Sequence, residues 1–410
     1  MGERAWVQGL REDFKQVLVE PWSPYIGAIL MVLVVLGLMM AGLFWGIFGG
    51  MKLFGDWFNN LIGLGPLLGI KPDLDTPLMH RMALMNMTLV LGAFVAAMIS
   101  RQFGIHRPPP LEYVWAALGG VAMGLGATLA GGCTTGGFFT PLVHASPAGW
   151  AMWLGLLVGA ALGLKALLWT LENVEWGMKP PRLLPFPSPI LRIMPWLALL
   201  LLAGLLLWTV NWYDSPDEKL QARAILIPAG FALGFIMHRS RLCFARAFRE
   251  PFMTAETEMT KAIIVALAVA MPLAALLFAA KVIDPYLGIP PTFWIGSLAG
   301  GLIFGIGMVF AGGCASGSLW RMGEGHLKLW VAGFFFAWGG SVSSALLKNT
   351  GLMVTDVNLD GLEFTVLGAQ AYLPDMLGGW GWPLAISFAI LIVWYLWLRY
   401  NESTERFTLL

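Results

Sequence analysis

Ten apolar stretches, most of them near the roughly 20 residues that a helix needs to cross a hydrocarbon core, constrain this chain more than any other feature. Eight read as membrane spans, at 24–48, 78–100, 148–170, 193–212, 222–238, 262–281, 327–346 and 380–399. Two more, 111–130 and 291–311, are rich in glycine and run into Gly-Gly-Cys triplets. Charged residues make up only 12% of the 410 residues, about half the roughly 25% usual in soluble domains. That balance excludes a disordered chain, a coiled coil and an ordinary cytosolic enzyme. The net charge is +1, with no polybasic tail, so nucleic acid is not an expected partner. Three cysteines make no disulfide framework and form no Cys-x-x-Cys pair. No His/Cys/carboxylate set has zinc-ligand spacing, and no Gly-x-x-x-x-Gly-Lys-Ser/Thr loop is present. No cofactor is expected.

Loop charge sets orientation in a bilayer. The stretch 239–261 carries Arg239, Arg241, Arg246, Arg249 and Lys261, the densest basic cluster, and is expected to face the cytoplasm. The segment 347–379 sets Lys348 against Asp356, Asp360, Glu363 and Asp375 and is expected outside, as is the base-poor 49–77. The loops around Arg101 and Arg107, and around Lys179, Arg182 and Arg192, fit inside. The first apolar run is followed by bulky residues rather than a cleavage site, so it reads as a retained span. With each Gly-Gly-Cys region taken as one net crossing, ten crossings place both termini in the cytoplasm. The expected organisation is a cytoplasmic segment 1–23, a first transmembrane half 24–212, a second half 213–399 and a cytoplasmic tail 400–410.

The halves match one another. Residues 119–136 read GGVAMGLGATLAGGCTTG and residues 300–317 read GGLIFGIGMVFAGGCASG, with nine of eighteen positions identical at an offset of 181. The orientation above sends the first copy outward and the second inward. The expected fold is therefore an all-α polytopic membrane protein, a pseudo-symmetric inverted repeat with short broken or re-entrant helices at the membrane centre. Gly-x-x-x-Gly spacing explains the upstream glycines as packing surfaces. It does not explain Gly-Gly, then Cys, then small hydroxyl residues, twice. Paired glycines weaken a helix, and irregular backbone at membrane depth is tolerated only when buried in protein or lining a cavity. Breaks at both triplets follow.

A helix restarting at Cys133 points the N–H groups of Thr134, Thr135 and Gly136 into the break, and the second copy offers Ala315, Ser316 and Gly317 beside Cys314. Free N–H groups and the helix dipole favour anions. Gly132 and Gly313 form the turns. The third cysteine, Cys243, follows Arg239 and Arg241, which can attract an anion to it. A membrane cysteine is otherwise a small buried hydrophobe, and these arginines are otherwise positive-inside anchors. A competing constellation, Met79-His80-Arg81-Met82 through Met85 and Met87, has ligands suited to Cu(I), or is a packing stripe. His144 and His326 follow the motif cysteines by 11 and 12 residues, which leaves a gating or proton role open.

At these residues the chain resembles the YeeE/YedE group of sulfur-transport membrane proteins. The resemblance is carried by Gly131-Gly132-Cys133-Thr134-Thr135-Gly136, by Gly312-Gly313-Cys314-Ala315-Ser316-Gly317 and by Arg239-Ser240-Arg241-Leu242-Cys243-Phe244, and spans most of 85–345. It implies a multi-pass protein of the bacterial inner membrane that imports a small sulfur oxyanion, thiosulfate above all, rather than an enzyme. It implies that Cys133, Cys243 and Cys314 relay the ion by transient S–H···S contacts, and that a cytoplasmic TusA-like sulfur carrier is a partner. In the shorter thiosulfate importers the Arg-x-x-Cys element lies in the first half. Here Cys243 lies in the second half, and Ile105 stands roughly where a first-half counterpart would be. That order looks more like the YedE branch. Alternatives are another sulfur or selenium species in the same fold, a membrane-embedded thiol oxidoreductase, or a soft-metal transporter that depends on Met79 and Met82.

Overall fold

The computed structural model describes residues 6, 9, 12–175, 177, 180–184, 187–357 and 361–409. Lys179 and Asp360, named above in charged loops, lie outside them. The described residues are almost entirely helical. The helices are α1 (Pro24–Met40), α2 (Phe48–Leu61), α3 (Arg81–Ile99), α4 (Pro110–Leu129), α5 (Thr140–Val143), α6 (Pro147–Asn173) and α7 (Ser188–Tyr213), then α8 (Leu226–Ser240), α9 (Phe244–Met253), α10 (Glu258–Ala279), α11 (Ile295–Ala311), α12 (Ala315–Glu324), α13 (Leu327–Asn349) and α14 (Gly381–Thr404). Shorter helical turns fill several connections. Two small antiparallel sheets lie between helices. One pairs β1 (Ile105–Arg107) with β2 (Arg182–Leu184), and the other joins β3 (Asp356–Val357), β4 (Glu363–Thr365) and β5 (Gly368–Ala369).

Local signals start several helices. Ser23 and Ser146 accept from Tyr25 N and Ala148 N, with Pro24 and Pro147 in the first turns, where a missing N–H costs nothing. Among the described residues nine helical segments are long and apolar enough to cross a membrane. The chain is a multi-pass membrane protein. Helix α1, at 17 residues, adds a tenth only together with Glu12–Val19, from which it is bent by 65°. The run read as one span at 24–48 is two elements. Helix α1 stops at Met40, and Gly42 turns the chain through the left-handed region (φ 70°) before α2 begins at Phe48.

Packing partners come in matched sets. Helix α4 packs on α13, and α11 on α6. Helix α3 packs on α8, and α10 on α1. Helix α2 meets α13 as α9 meets α6, and α7 meets α3 as α14 meets α10. In each case the second contact joins the helices seven further along, or seven back, in chain order. At the centre α4 and α11 cross antiparallel. A Cβ at Gly119 would lie 2.6 Å from Gly307 O, and one at Gly126 would lie 2.6 Å from Gly300 O. The offset of 181 turns one contact into the other. Flanking pairs behave alike: a Cβ at Gly159 would lie 3.0 Å from Gly305 Cα, and one at Gly124 would lie 2.4 Å from Gly340 N.

Glycine in a helix costs about 1 kcal/mol against alanine, and between apolar helices in lipid close van der Waals contact is the main return. Replacing Gly126 by Val puts a Cβ 2.5 Å from Phe304 N and should destabilise the protein by about 1–3 kcal/mol or prevent assembly. A Cβ at Gly204 in α7 would have nothing within 4 Å, so Gly204→Ala should be neutral or stabilising by up to about 1 kcal/mol. Thermal unfolding in detergent, followed by loss of monodisperse protein, compares the two.

Candidate functional site

All three cysteines sit at the starts of short helices. Cys133 precedes the π-helical turn Thr134–Phe139 that continues into α5, Cys243 precedes α9 and Cys314 precedes α12. Two residues ahead of each, the chain is left-handed: Gly131 (φ 70°), Arg241 (φ 55°) and Gly312 (φ 81°). A left-handed residue ends a helix, but each break lies within one candidate span, Pro110–Val143, Glu218–Met253 or Ile295–Glu324, and none bends its span by more than 40°. Glycine is left-handed freely, whereas at Arg241 the conformation costs about 1–2 kcal/mol. One local device thus produces all three breaks.

The thiols are fully buried. Cys243 Sγ and Cys314 Sγ lie 3.9 Å apart. Gly317 packs against both: a Cβ there would fall 2.5 Å from Cys243 Sγ and 3.2 Å from Cys314 Sγ. Gly317 N donates to Cys314 Sγ at 3.3 Å, and Ser316 Oγ lies 3.5 Å from the same sulfur. In the first copy Cys133 Sγ is 3.0 Å from Thr135 Oγ1. Thr134 Oγ1 and Ser318 Oγ are buried without a hydrogen-bond partner among the described residues. Gly132 packs on its own following turn, at Gly136 and Gly137, and Gly313 faces Ser318 Oγ. Ala315 is buried. Phe138 and Phe139 meet Phe244, and Phe138 also meets Phe248, so the Cys133 element rests on the Cys243 element through an aromatic cluster.

Gly46 lies beside the first motif turn as Cys243 lies beside the second. Gly136 faces Gly46 (3.8 Å from a Cβ to Gly46 Cα) as Gly317, its match in the repeat, faces Cys243. Just ahead of Gly46 and Cys243, Trp45 O accepts from Thr140 Oγ1 at 2.8 Å and Leu242 O accepts from Trp320 Nε1 at 3.0 Å, though at the offset of 181 Thr140 matches Arg321 rather than Trp320. Ile105 belongs to β1, opposite Leu184. The α1–α2 connection thus brings a residue with no side chain to the first motif.

Two cavities approach this centre from opposite ends of α10. One, of about 200 Å³, is bordered by Leu287–Pro290 beyond the C-terminus of α10 and reaches Gly46, Gly131, Gly132 and Gly136. The other, of about 350 Å³, lies at the N-terminus of α10 and is lined by Ser240, Arg241 and Arg246 and by the carboxylates Glu250, Glu256, Glu258 and Glu402. Arg241 Nη1 donates to Glu324 Oε1 and Nη2 to Gln102 Oε1, both at 2.6 Å. Arg246 Nε donates to Glu250 Oε1 at 2.6 Å. Arg239 turns toward the N-terminal segment, where it donates to Glu20 O and lies against the Trp22 ring.

Sequence reasoning missed Gly46, Trp320, Arg321 and Glu324. Arg321 Nη1 donates to Gly312 O at 3.0 Å, inside the second triplet. The only signal for Trp320, Arg321 and Glu324 was their place in the short helix after Cys314. His144 is buried, with Nδ1 2.7 Å from Pro285 O, and burial pushes its pKa down to about 4, so the neutral ring donates to that carbonyl. His326 stacks on His106 at 4.0 Å, and burial, then His326, lowers the pKa of His106. Each histidine after a motif cysteine thus touches a loop of the other half. In the methionine-rich run, the His80 ring accepts from Ala83 N to start α3, Met82 lines the smaller cavity, Met85 is buried and Met87 is exposed.

A family profile described as sulphur transport matches residues 4–162 and 239–408. The chain belongs to that family. A probable transporter YedE of Escherichia coli is 28% identical over 353 residues, 82% of this chain and 83% of the relative. A thiosulfate transporter TsuA of Spirochaeta thermophila is 31% identical over 184 residues, 44% of this chain and 54% of the relative. The TsuA of Escherichia coli is 32% identical over 179 residues, 42% and 46%. The protein is thus a transporter of the sulfur-transport family rather than an enzyme.

The thiol geometry is directly testable. Cys133→Ala leaves only Cys243 and Cys314, so mild oxidation should yield an intramolecular disulfide detectable by intact mass after alkylation. Gly317→Ala in that background should slow its formation, because the added methyl pushes the sulfurs apart.

Proposed function

We propose that the chain imports thiosulfate across a bacterial inner membrane, relaying it past Cys133 and then Cys314 and Cys243. The observation that carries this reading is the 3.9 Å pair of buried thiols at two helix starts. It is joined by the unpartnered hydroxyls of Thr134 and Ser318 beside the motif turns. Thiosulfate has two negative charges and one soft terminal sulfur. Helix N-termini and hydroxyls suit its charge, and a thiol is a weak donor that holds sulfur without trapping it. The route runs from the cavity at Gly131–Gly136, taken as outer, to the cavity at Arg241 and Arg246, taken as cytoplasmic. Both termini are then cytoplasmic, and a TusA-like carrier would receive the ion at the inner cavity.

The matched contacts and the antiparallel α4–α11 crossing support an inverted repeat of the halves 24–212 and 213–399. The two relatives named thiosulfate transporters support the substrate. Transport favours several weak sites over one strong one, and three spaced thiols provide them.

Labelled thiosulfate uptake in cells that lack other sulfur importers tests the proposal. Wild-type chain should restore uptake, with sulfate competing poorly. Cys314→Ala and Cys133→Ala should reduce uptake to background while the protein stays monodisperse. Normal uptake by either variant would remove the relay.

A further inference from the structure

Glu324 stands in an unfavourable place. It closes α12, where the dipole opposes an acid, and it is 5% exposed. Burying a carboxylate costs several kcal/mol unless it is paired. Val143, its match at the offset of 181, is apolar and buried, so the backbone of this corner needs no carboxylate. What Glu324 does hold is Arg241, at 2.6 Å. The other titratable and charged groups around it are His238 (Nε2 3.6 Å from Oε1), His326 (Nε2 3.3 Å from Oε2), His106 stacked on His326, and Arg239 beside His238 in sequence.

Arg241 lines the larger cavity, two residues before Cys243, and its side chain is 30% exposed. Both arms of its guanidinium are committed, one to Glu324 and one to Gln102. Its plane lies over Trp320, which itself donates to Leu242 O. An uncommitted guanidinium at a mouth of this size forms a bidentate, charge-assisted pair with a dianion. Such a site attracts the ion and then keeps it, which stalls transport. The second arginine of the cavity, Arg246, is restrained in the same way by Glu250.

We propose that Glu324 is a positioning residue that holds the Arg241 fork occupied, so that a sulfur dianion passing through the cavity is not retained there. This rests on the reading that such an ion leaves through this cavity. The measurement is the initial rate of labelled thiosulfate uptake against concentration, in cells with matched membrane levels of the full chain. Glu324→Gln should lower the half-saturation concentration by roughly three- to tenfold, and lower the maximal rate similarly, because release becomes slow. In R241Q/E324Q the half-saturation should return to the wild-type value or above, since no fork remains to be freed. A residue that only stabilised α12 would lower the maximal rate and leave half-saturation unchanged or raised, and that result for E324Q would overturn the proposal. Should E324Q not reach the membrane, Glu324→Asp withdraws the carboxylate by one methylene, and half-saturation should fall by a smaller factor; an unchanged or raised value would overturn the proposal equally. Wild-type cells without saturable uptake would instead sink the transport reading itself.

Discussion

Two glycine-faced helices, α4 and α11, touch backbone to backbone where they cross, and the architecture is organised about that contact. In lipid there is little hydrophobic force between helices, so closeness of approach supplies the attraction. The crossing also fixes where each helix ends. Because Gly119 meets Gly307 while Gly126 meets Gly300, the two triplets lie toward opposite ends of the pair. Helices α6 and α13 extend the same glycine contact outward, which ties each half to the other. The short cysteine helices are then held between elements that cannot slide.

The breaks could be read from the sequence because they are local events. Gly-Gly followed by Cys and small hydroxyl residues cannot continue a helix, and the repetition at a fixed offset marked it as more than packing. Cys243 was visible only through its arginines, since its left-handed residue is Arg241 rather than glycine. The approach of Gly46 to the first motif was not legible. The offset of 181 holds from α4 to α6 against α11 to α13, but the segments ahead of them differ in length. Gly46 resembles Cys243 in place only through the contacts of Gly136 and Gly317, which no sequence pattern shows. Arg239 and Arg241, adjacent in pattern, diverge because successive positions in this turn point to different elements, one to Glu20 and Trp22, the other to Glu324 and Gln102. The role of Glu324 depends wholly on tertiary contacts.

Charge at the edges of the site is handled by pairing. Lys52 with Asp56, Arg246 with Glu250 and Arg241 with Glu324 each bring opposite charges within 2.7 Å. Such pairs seldom add net stability when buried, but losing one partner is costly. The thiols are treated differently. Backbone N–H groups, hydroxyls and aromatic faces surround them. The thiols themselves thus sit in a soft, weakly bonding setting, with Arg321 the charged group that reaches the second triplet.

In the proposed repeat, the position of Gly46 leaves the scaffold two-fold in backbone but lopsided in chemistry. A traveller following the proposed course would meet a lone sulfur on one slope and a doublet on the other, with bare main chain where the fourth sulfur would stand. Its dwell times on the two slopes would differ even though the rails beneath are near copies. Under heavy load the inward and outward flows need not saturate alike, and a single missing side chain is enough to set them apart.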